Sequence, residues 1–250
     1  MDLVTVIIPY YKKKNYINES IESVISQTYK NLEIVIIYDN ETNSELDYIK
    51  NLKKKDFRIR LIINENNIGA GESRNKGIKH SKGKYISFLD ADDIWEKNKI
   101  EIQLLFMQNG NLSVSHTSYK IINEENNLIG NRKARDFDNF KDIIKSCDIG
   151  LSSVMLKKEI ISDDIKFSNL KTKEDFILWL KILKKGIKIF AIDKELLIWR
   201  KTKNSLSSST LQKLSDAFII YNRHMGYNLF ISLYLLICLS LNYLKKRIND

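Results

Sequence analysis

The chain holds a single proline, two cysteines and three histidines among its 250 residues, and each shortage removes a class of protein. Cys147 and Cys238 are too few and too far apart in sequence for a disulfide framework or a Cys-rich zinc site, so a reducing, cytosolic setting is expected. His80, His116 and His224 share no metal-ligand spacing and accompany no nucleophile motif, which makes them structural or surface residues. No Pro/Gly-rich linker and no internal repeat interrupts the chain up to about residue 205, which reads as one domain. The opening residues lack a basic segment and a cleavage site and read as a buried strand rather than a signal peptide.

What is present is a 43% hydrophobic composition, which rules out disorder, and a net charge of +10. A basic balance invites a polyanion or a membrane surface as partner, so the position of the charge matters. Half of the excess falls in residues 201–250. The lysine runs 12–14 and 53–55 are nearly cancelled by flanking acids and come with no RNA-binding motif. They read as solvated loop or helix ends, and no nucleic-acid partner is expected.

Apolar runs at Val4–Ile8, Glu33–Tyr38, Arg60–Ile63 and Tyr85–Leu89 alternate with helical patterns at 17–27 and 72–80. The alternation predicts an α/β fold, with a mostly parallel central sheet flanked by helices. Ligands of such sheets gather at the carboxyl ends of the strands, which would bring Tyr10, Asp39 and the acidic run at 90–93 into one crevice. Candidate strands at 112–122 and 151–157 flank a polar loop containing Arg132 and Arg135. An amphipathic helix at 173–185 ends at Gly186, followed by a strand at Ile187–Ile192 and the segment Leu196–Arg200.

Residues 228–244 are nearly all apolar except Asn228, Ser232, Ser240 and Asn242, and Lys245, Lys246 and Arg247 follow at once. Asn228, Ser232 and Asn242 share one sector of a helical wheel. The stretch is shorter than the ~20 residues a bilayer span needs. It suits a helix lying in the membrane plane, with 228–248 on the surface and the basic cluster on anionic headgroups, or one docked on the domain as core. The expected organisation is a domain over 1–210 and a helical, membrane-associating tail over 211–250.

Asp90-Ala91-Asp92-Asp93 places three carboxylates in four residues at the end of an apolar strand, where they repel one another unless a cation is near. Hard oxygen ligands of this kind suit Mg²⁺ or Mn²⁺. The competing reading makes Asp92 or Asp93 the cap of a helix beginning near Ile94. The glycines of 67–77 match neither a Walker A loop nor a dinucleotide fingerprint, and Arg74 taken alone reads as a solvated arginine or a phosphate contact. Asp175, by itself, reads as a first-turn carboxylate three residues after a Thr172 cap.

Taken together, the blocks Val4–Tyr11, Ser26–Ile34, Asn67-x-Gly69 with Ser73-Arg74-Asn75, Gly83–Asp93 and Lys173–Leu180 resemble the family 2 glycosyltransferases in order and spacing over residues 3 to about 210. The resemblance implies a GT-A fold that binds a nucleotide sugar, usually a UDP-sugar, and transfers the sugar with inversion to a lipid-linked, lipooligosaccharide or polysaccharide acceptor at the inner face of a bacterial cytoplasmic membrane. It implies Pro9 and Tyr11 at the base pocket, Asp39 on the uracil and Arg74 near the base or diphosphate. Asp90 would approach the ribose and metal shell, and Asp92 the Mg²⁺ or Mn²⁺ on the diphosphate. Asp175 would be the general base, with Glu174, Ser153 and Arg200 as supporting or acceptor-side residues.

Two departures stand out: Tyr38-Asp39 offers one acid where the family often has two, and Thr202 replaces a histidine common two residues after the arginine. Lys201 or Lys203 is a possible electrostatic substitute for that histidine. The alternative function is a non-catalytic nucleotide-sugar or glycan binding module on the same fold.

Overall fold

The computed structural model describes residues 1–203 and 209–248, with side chains placed as far as Lys245. Lys246 and Arg247, in the basic cluster, therefore lie outside the described side chains. β1 (Val4–Tyr10), β2 (Leu32–Tyr38), β3 (Ile59–Ile63) and β4 (Tyr85–Phe88) are joined by α1 (Lys14–Ile25), α2 (Leu46–Lys53) and α3 (Ala70–His80). They pair in parallel in the order β3-β2-β1-β4. The other half of the sheet is mixed. β8 (Met155–Lys157) runs antiparallel to β4, β6 (Val114–Ile122) antiparallel to β8, and β9 (Phe190–Arg200) parallel to β6.

Strand side chains alternate between faces. Ile7, Val35 and Ile37 face a core shared with α3, α6 (Glu174–Lys184) and the C-terminal helices. Val6, Ile8, Ile34 and Ile36 face a second core with α1, α2 and α4 (Lys99–Asn109). The sequence pattern of apolar runs on both faces is that of a sheet covered on both sides.

Several expectations change. No helix begins near Ile94: β5 (Ile94–Trp95) pairs with β9, and α4 starts only at Lys99. Arg132 lies on a strand, β7 (Leu128–Arg132), paired with β6. The two segments between 187 and 200 are one strand, β9, because register shifts opposite Ser118 let it bend and keep pairing. Ser152 and Ser153 lie on a 3₁₀ turn, Leu151–Ser153, rather than a strand.

After β9 the chain forms α7 (Thr210–Ile219), a π turn to His224, and α8 (Leu229–Ile248). Ala217, Ile220, Tyr221, Leu235 and Leu239 belong to the same core as Trp179, so this segment packs on the domain. Of the polar sector, Ser232 and Asn242 face the domain while Asn228, just ahead of α8, is exposed. Ser232 is fully buried beside Leu235 and Leu239, and Asn242 donates to the Lys145 carbonyl. Phe230, Tyr234, Ile237 and Leu241 are exposed on other sides of the helix. No helix among the described residues is long and apolar enough to cross a membrane.

Candidate active site

Parallel register brings Tyr10 beside Tyr38 and Ile7 beside Phe88, so Pro9–Tyr11, Asp39 and Asp90 emerge at one edge of the sheet. Asp39 is buried, and its carboxylate accepts from Asn64 Nδ2 at 2.7 Å, Ile68 N at 2.9 Å and Gly69 N at 3.0 Å. These bonds fix the loop that leads into α3, where Gly69 adopts φ +84°, a conformation costly for other residues. Tyr11 donates its hydroxyl to Glu41 at the rim.

Arg74 is neither solvated nor turned into open space. It is 3% exposed on α3, with Nη2 2.6 Å from Asp90 Oδ1 and Nη1 2.5 Å from Glu174 Oε1. One guanidinium thus ties the loop after β4 to the first turn of α6, and the two acids hold its charge against the cost of burial. Arg74 thus stands as a buried clamp between Asp90 and Glu174. α3 can come this near because residue 71 is glycine: a Cβ there would meet the Ser168 carbonyl at 2.2 Å and the Glu174 side chain at 3.3 Å.

The three acids of the 90–93 run have separate environments. Asp90 is the most open, its side chain 34% exposed. Asp92 is paired with Lys13 Nζ at 2.7 Å; burial and the nearby Asp90 raise its pKa, and Lys13 opposes them. Asp93 is buried and accepts from Ser152 Oγ at 2.6 Å and Arg200 N at 2.9 Å. Burial, then the charges of Asp92 and Asp90, push it well above the ordinary carboxylate range. It caps no helix; it joins the ends of β4 and β9 to the 3₁₀ turn.

Ser153 and Ser152 take different places in the 3₁₀ turn. Ser153 is fully buried and donates to the Gly150 carbonyl, whereas Ser152 accepts from the Asp90 backbone N–H at 3.0 Å while donating to Asp93. Arg200 is also buried, donating to the Asp92 carbonyl, Glu19 and Asn126 and stacking 5.0 Å from the Tyr16 ring centroid. Lys13 is no solvated lysine: it donates to Thr202 Oγ1 at 2.9 Å as well as pairing with Asp92. The cation beside Thr202 is thus Lys13, while Lys203 pairs with Glu124 at the surface.

Asp175 does lie in the first turn of α6, where its Oδ1 accepts from Phe176 N at 2.7 Å, but Thr172 is not the cap. Thr172 sends its N–H and Oγ1 to Asp216 of α7, at 2.9 and 2.8 Å, and Lys173 starts α6 from a left-handed conformation with no side-chain cap. Asp175 is raised to about 7, chiefly by burial, then by the charge of Glu174, with Arg74 opposing. A carboxylate so tuned is half ionised near neutrality and able to take a proton.

Sequence reading missed Lys13, Asn64 and Asp216. Only the Asx-rich run 64–67 gave a local hint, because the other partners meet through contacts distant in sequence.

A mixed sheet with acids at its carboxyl edge, faced by an acidic helix start, is the arrangement of a GT-A glycosyltransferase. The chain belongs to glycosyltransferase family 2: the family described as "Glycosyl transferase family 2" matches residues 5–163. An uncharacterized glycosyltransferase of Rickettsia felis is 43% identical over 77% of this chain, which spans only 32% of that relative's length. The glucosyltransferase WfgD of Escherichia coli, named for UDP-Glc and α-D-GlcNAc-diphosphoundecaprenol, is 36% identical over 85% of this chain and 82% of its own. The putative teichuronic acid biosynthesis glycosyltransferase TuaG of Bacillus subtilis is 32% identical, over 88% and 87%.

Among solved structures, residues 1–349 of S. aureus TarS with UDP-GlcNAc superpose with a TM-score of 0.69 at 20% identity, over 96% of this chain and 72% of that one. The mannosyltransferase PcManGT of Pyrobaculum calidifontis, with GDP-Man and Mn²⁺, gives 0.67 at 13% identity, over 90% and 64%. At these identities the likeness concerns the fold.

Proposed function

We propose that the chain is an inverting, metal-dependent glycosyltransferase that moves a hexosyl or N-acetylhexosaminyl group from a UDP-sugar to a lipid-linked or lipooligosaccharide/polysaccharide acceptor of the bacterial cell surface. The observation that carries this reading is the Arg74 clamp, which holds Asp90 and Glu174 together beside an Asp175 raised to about 7. The printed name of WfgD supports a UDP-sugar donor and a lipid diphosphate acceptor.

The donor set fits a divalent cation of the Mg²⁺ type, which is usually held by one or two carboxylates and completed by water and substrate phosphates. Asp92 and Asp90 are two such carboxylates at the end of one strand, each with a protein cation beside it, Lys13 and Arg74 respectively. Among the described residues no third His, Cys, Asp or Glu joins them in a dedicated cage. A cation held by Asp92 with Asp90 would neutralise charge gathering on the departing diphosphate.

The chain's own residues do the rest. Pro9 and Tyr11 flank the base, and Asp39 accepts from it on Oδ2, the oxygen that otherwise serves Gly69 N. Asp90 receives the ribose, oriented by Arg74 and by Ser152 at its backbone. Asp175 takes the proton of the acceptor hydroxyl on the face opposite the leaving group, as inversion requires. Glu174 orients the acceptor while paired with Arg74, and Arg200 supports the loop at Asp92.

The 211–250 tail attaches the enzyme to the inner face of the cytoplasmic membrane through residues 228–248. The outward apolar residues of α8 support this, as does the placement of its Ser232 and Asn242 against the domain.

The test is a thermal-shift screen of UDP-, GDP- and CDP-sugars with Mn²⁺, followed by a transfer assay on a lipid-diphosphate acceptor. A bound donor raises the melting temperature, and the expected outcome is a shift with a UDP-sugar and release of UDP on transfer. No shift across the panel refutes the donor reading, and binding without turnover points to a binding module.

A further inference from the structure

Lys13 occupies a singular position. It stands just ahead of α1, its carbonyl accepting from Tyr16 N and Ile17 N, so its backbone is fixed while its side chain reaches across the crevice. The ammonium lies 2.7 Å from Asp92 Oδ2 and 2.9 Å from Thr202 Oγ1, and Thr202 Oγ1 is itself 3.4 Å from the same carboxylate oxygen. The Tyr16 ring centroid is 5.9 Å from this ammonium and 5.0 Å from the Arg200 guanidinium carbon. The side chains of Lys13 and Asp92 are only 20% and 14% exposed, so the pair is shielded from solvent on most sides.

A positive charge therefore already sits on the carboxylate best suited to a divalent cation. Two cations cannot share one carboxylate oxygen at contact distance without strong repulsion, and shielding from water enlarges that repulsion. Arg200 cannot serve as the displaced partner, because its guanidinium is held by the Asp92 carbonyl, Glu19 and Asn126. Lys13, by contrast, has a flexible four-carbon stem and can exchange one anion for another.

We propose that Lys13 is a tethered counter-ion of Asp92 that excludes divalent metal from the donor-free protein and passes to the donor's diphosphate on loading, so that metal and nucleotide diphosphate bind cooperatively. This rests on the donor reading above and adds to it a rule for the order of binding. Metal alone meets a carboxylate already neutralised. Metal with a nucleoside diphosphate brings the anion that Lys13 needs when it leaves Asp92. By linkage the enhancement is reciprocal, and couplings of this kind run from about 5-fold to 150-fold.

The experiment measures Mn²⁺ affinity of the full chain by the electron paramagnetic resonance signal of free Mn²⁺, with and without saturating UDP. For the unaltered chain, UDP is expected to tighten Mn²⁺ by about tenfold or more. Lys13→Met is expected to bind Mn²⁺ alone about tenfold more tightly and to lose most of the UDP enhancement. Lys13→Arg, whose planar fork grips a carboxylate more firmly, is expected to bind Mn²⁺ alone more weakly than the unaltered chain. The Arg variant keeps the charge, so it remains informative if Lys13→Met fails to fold. Unchanged Mn²⁺ affinity in a folded variant, with UDP still bound, overturns the role of Lys13 alone. Absence of both Mn²⁺ and UDP binding in the unaltered chain overturns the donor reading and this proposal with it.

Discussion

Asp175 carries two opposed requirements. Its folded-state pKa of about 7 lies far above the roughly 3.9 of a free aspartate, so between those values the native state binds more protons than the unfolded one. Stability from this group is therefore greatest below about pH 4 and declines as pH rises to about 7. In its proposed role as general base Asp175 must be ionised, so activity moves the other way. We expect kcat/KM to rise about tenfold per pH unit below 7 and to level above it; a flat profile from pH 5 to 8 would assign Asp175 to structure. Asp175→Asn is expected to lower transfer by about 10²-fold to 10⁴-fold while UDP still raises the melting temperature. The same variant should melt higher than the unaltered chain at pH 8 and close to it at pH 4. At this scale Asp90, Asp92, Arg74, Glu174 and Asp175 were legible because they fall in short blocks of fixed spacing. Lys13 was not: its partners lie on another strand end, and a run of three lysines looks solvated until Asp92 and Thr202 are brought beside it.

Between elements, the site depends on how closely α3 and α6 approach. Gly71→Ala would drive a Cβ to 2.2 Å from a backbone carbonyl that has no side-chain freedom to yield. We expect a loss of about 1–3 kcal/mol in urea unfolding, together with weaker UDP binding as Arg74 and Glu174 are forced apart. The start of α6 is held from the other side by Asp216, which accepts two bonds from Thr172. Asp216→Ala should cost about 1–3 kcal/mol and shift the kinetic pKa near 7 back toward the ordinary carboxylate value, read from the pH–rate profile. The principal strands and helices were legible as β-branched runs and helical spacings. β5 and β7 were not, because a two-residue strand and an exposed edge strand have no periodicity to read. The inward turn of Ser232 and Asn242 on α8 was equally hidden, since a wheel shows which residues share a face but not what that face meets.

For the molecule as a whole, α8 has one side in the core and apolar residues facing out. Phe230→Glu with Ile237→Glu, at positions 81% and 57% exposed, should leave the melting temperature nearly unchanged and abolish cosedimentation with anionic vesicles. Undiminished cosedimentation would move the membrane contact elsewhere. Deleting residues 228–250 should do more, lowering the melting temperature and causing aggregation, because Leu235 and Leu239 leave the core that contains Trp179 and Tyr221.

The bonds that close the site also carry a consequence for how the protein is made. Lys13 meets Thr202 across 189 residues of chain, Glu19 meets Arg200 across 181, and Arg74 meets Glu174 across 100. A growing polypeptide can assemble the parallel strands once β4 has left the ribosome, since β1, β2 and β3 pair in sequence order and β4 returns to β1. The crevice has to wait for almost the entire chain. During synthesis the nascent protein thus passes through a long interval with a formed sheet, an open acidic edge and an Arg74 that can reach Asp90 but not yet Glu174, and the closing of the crevice arrives as one of the last events of folding.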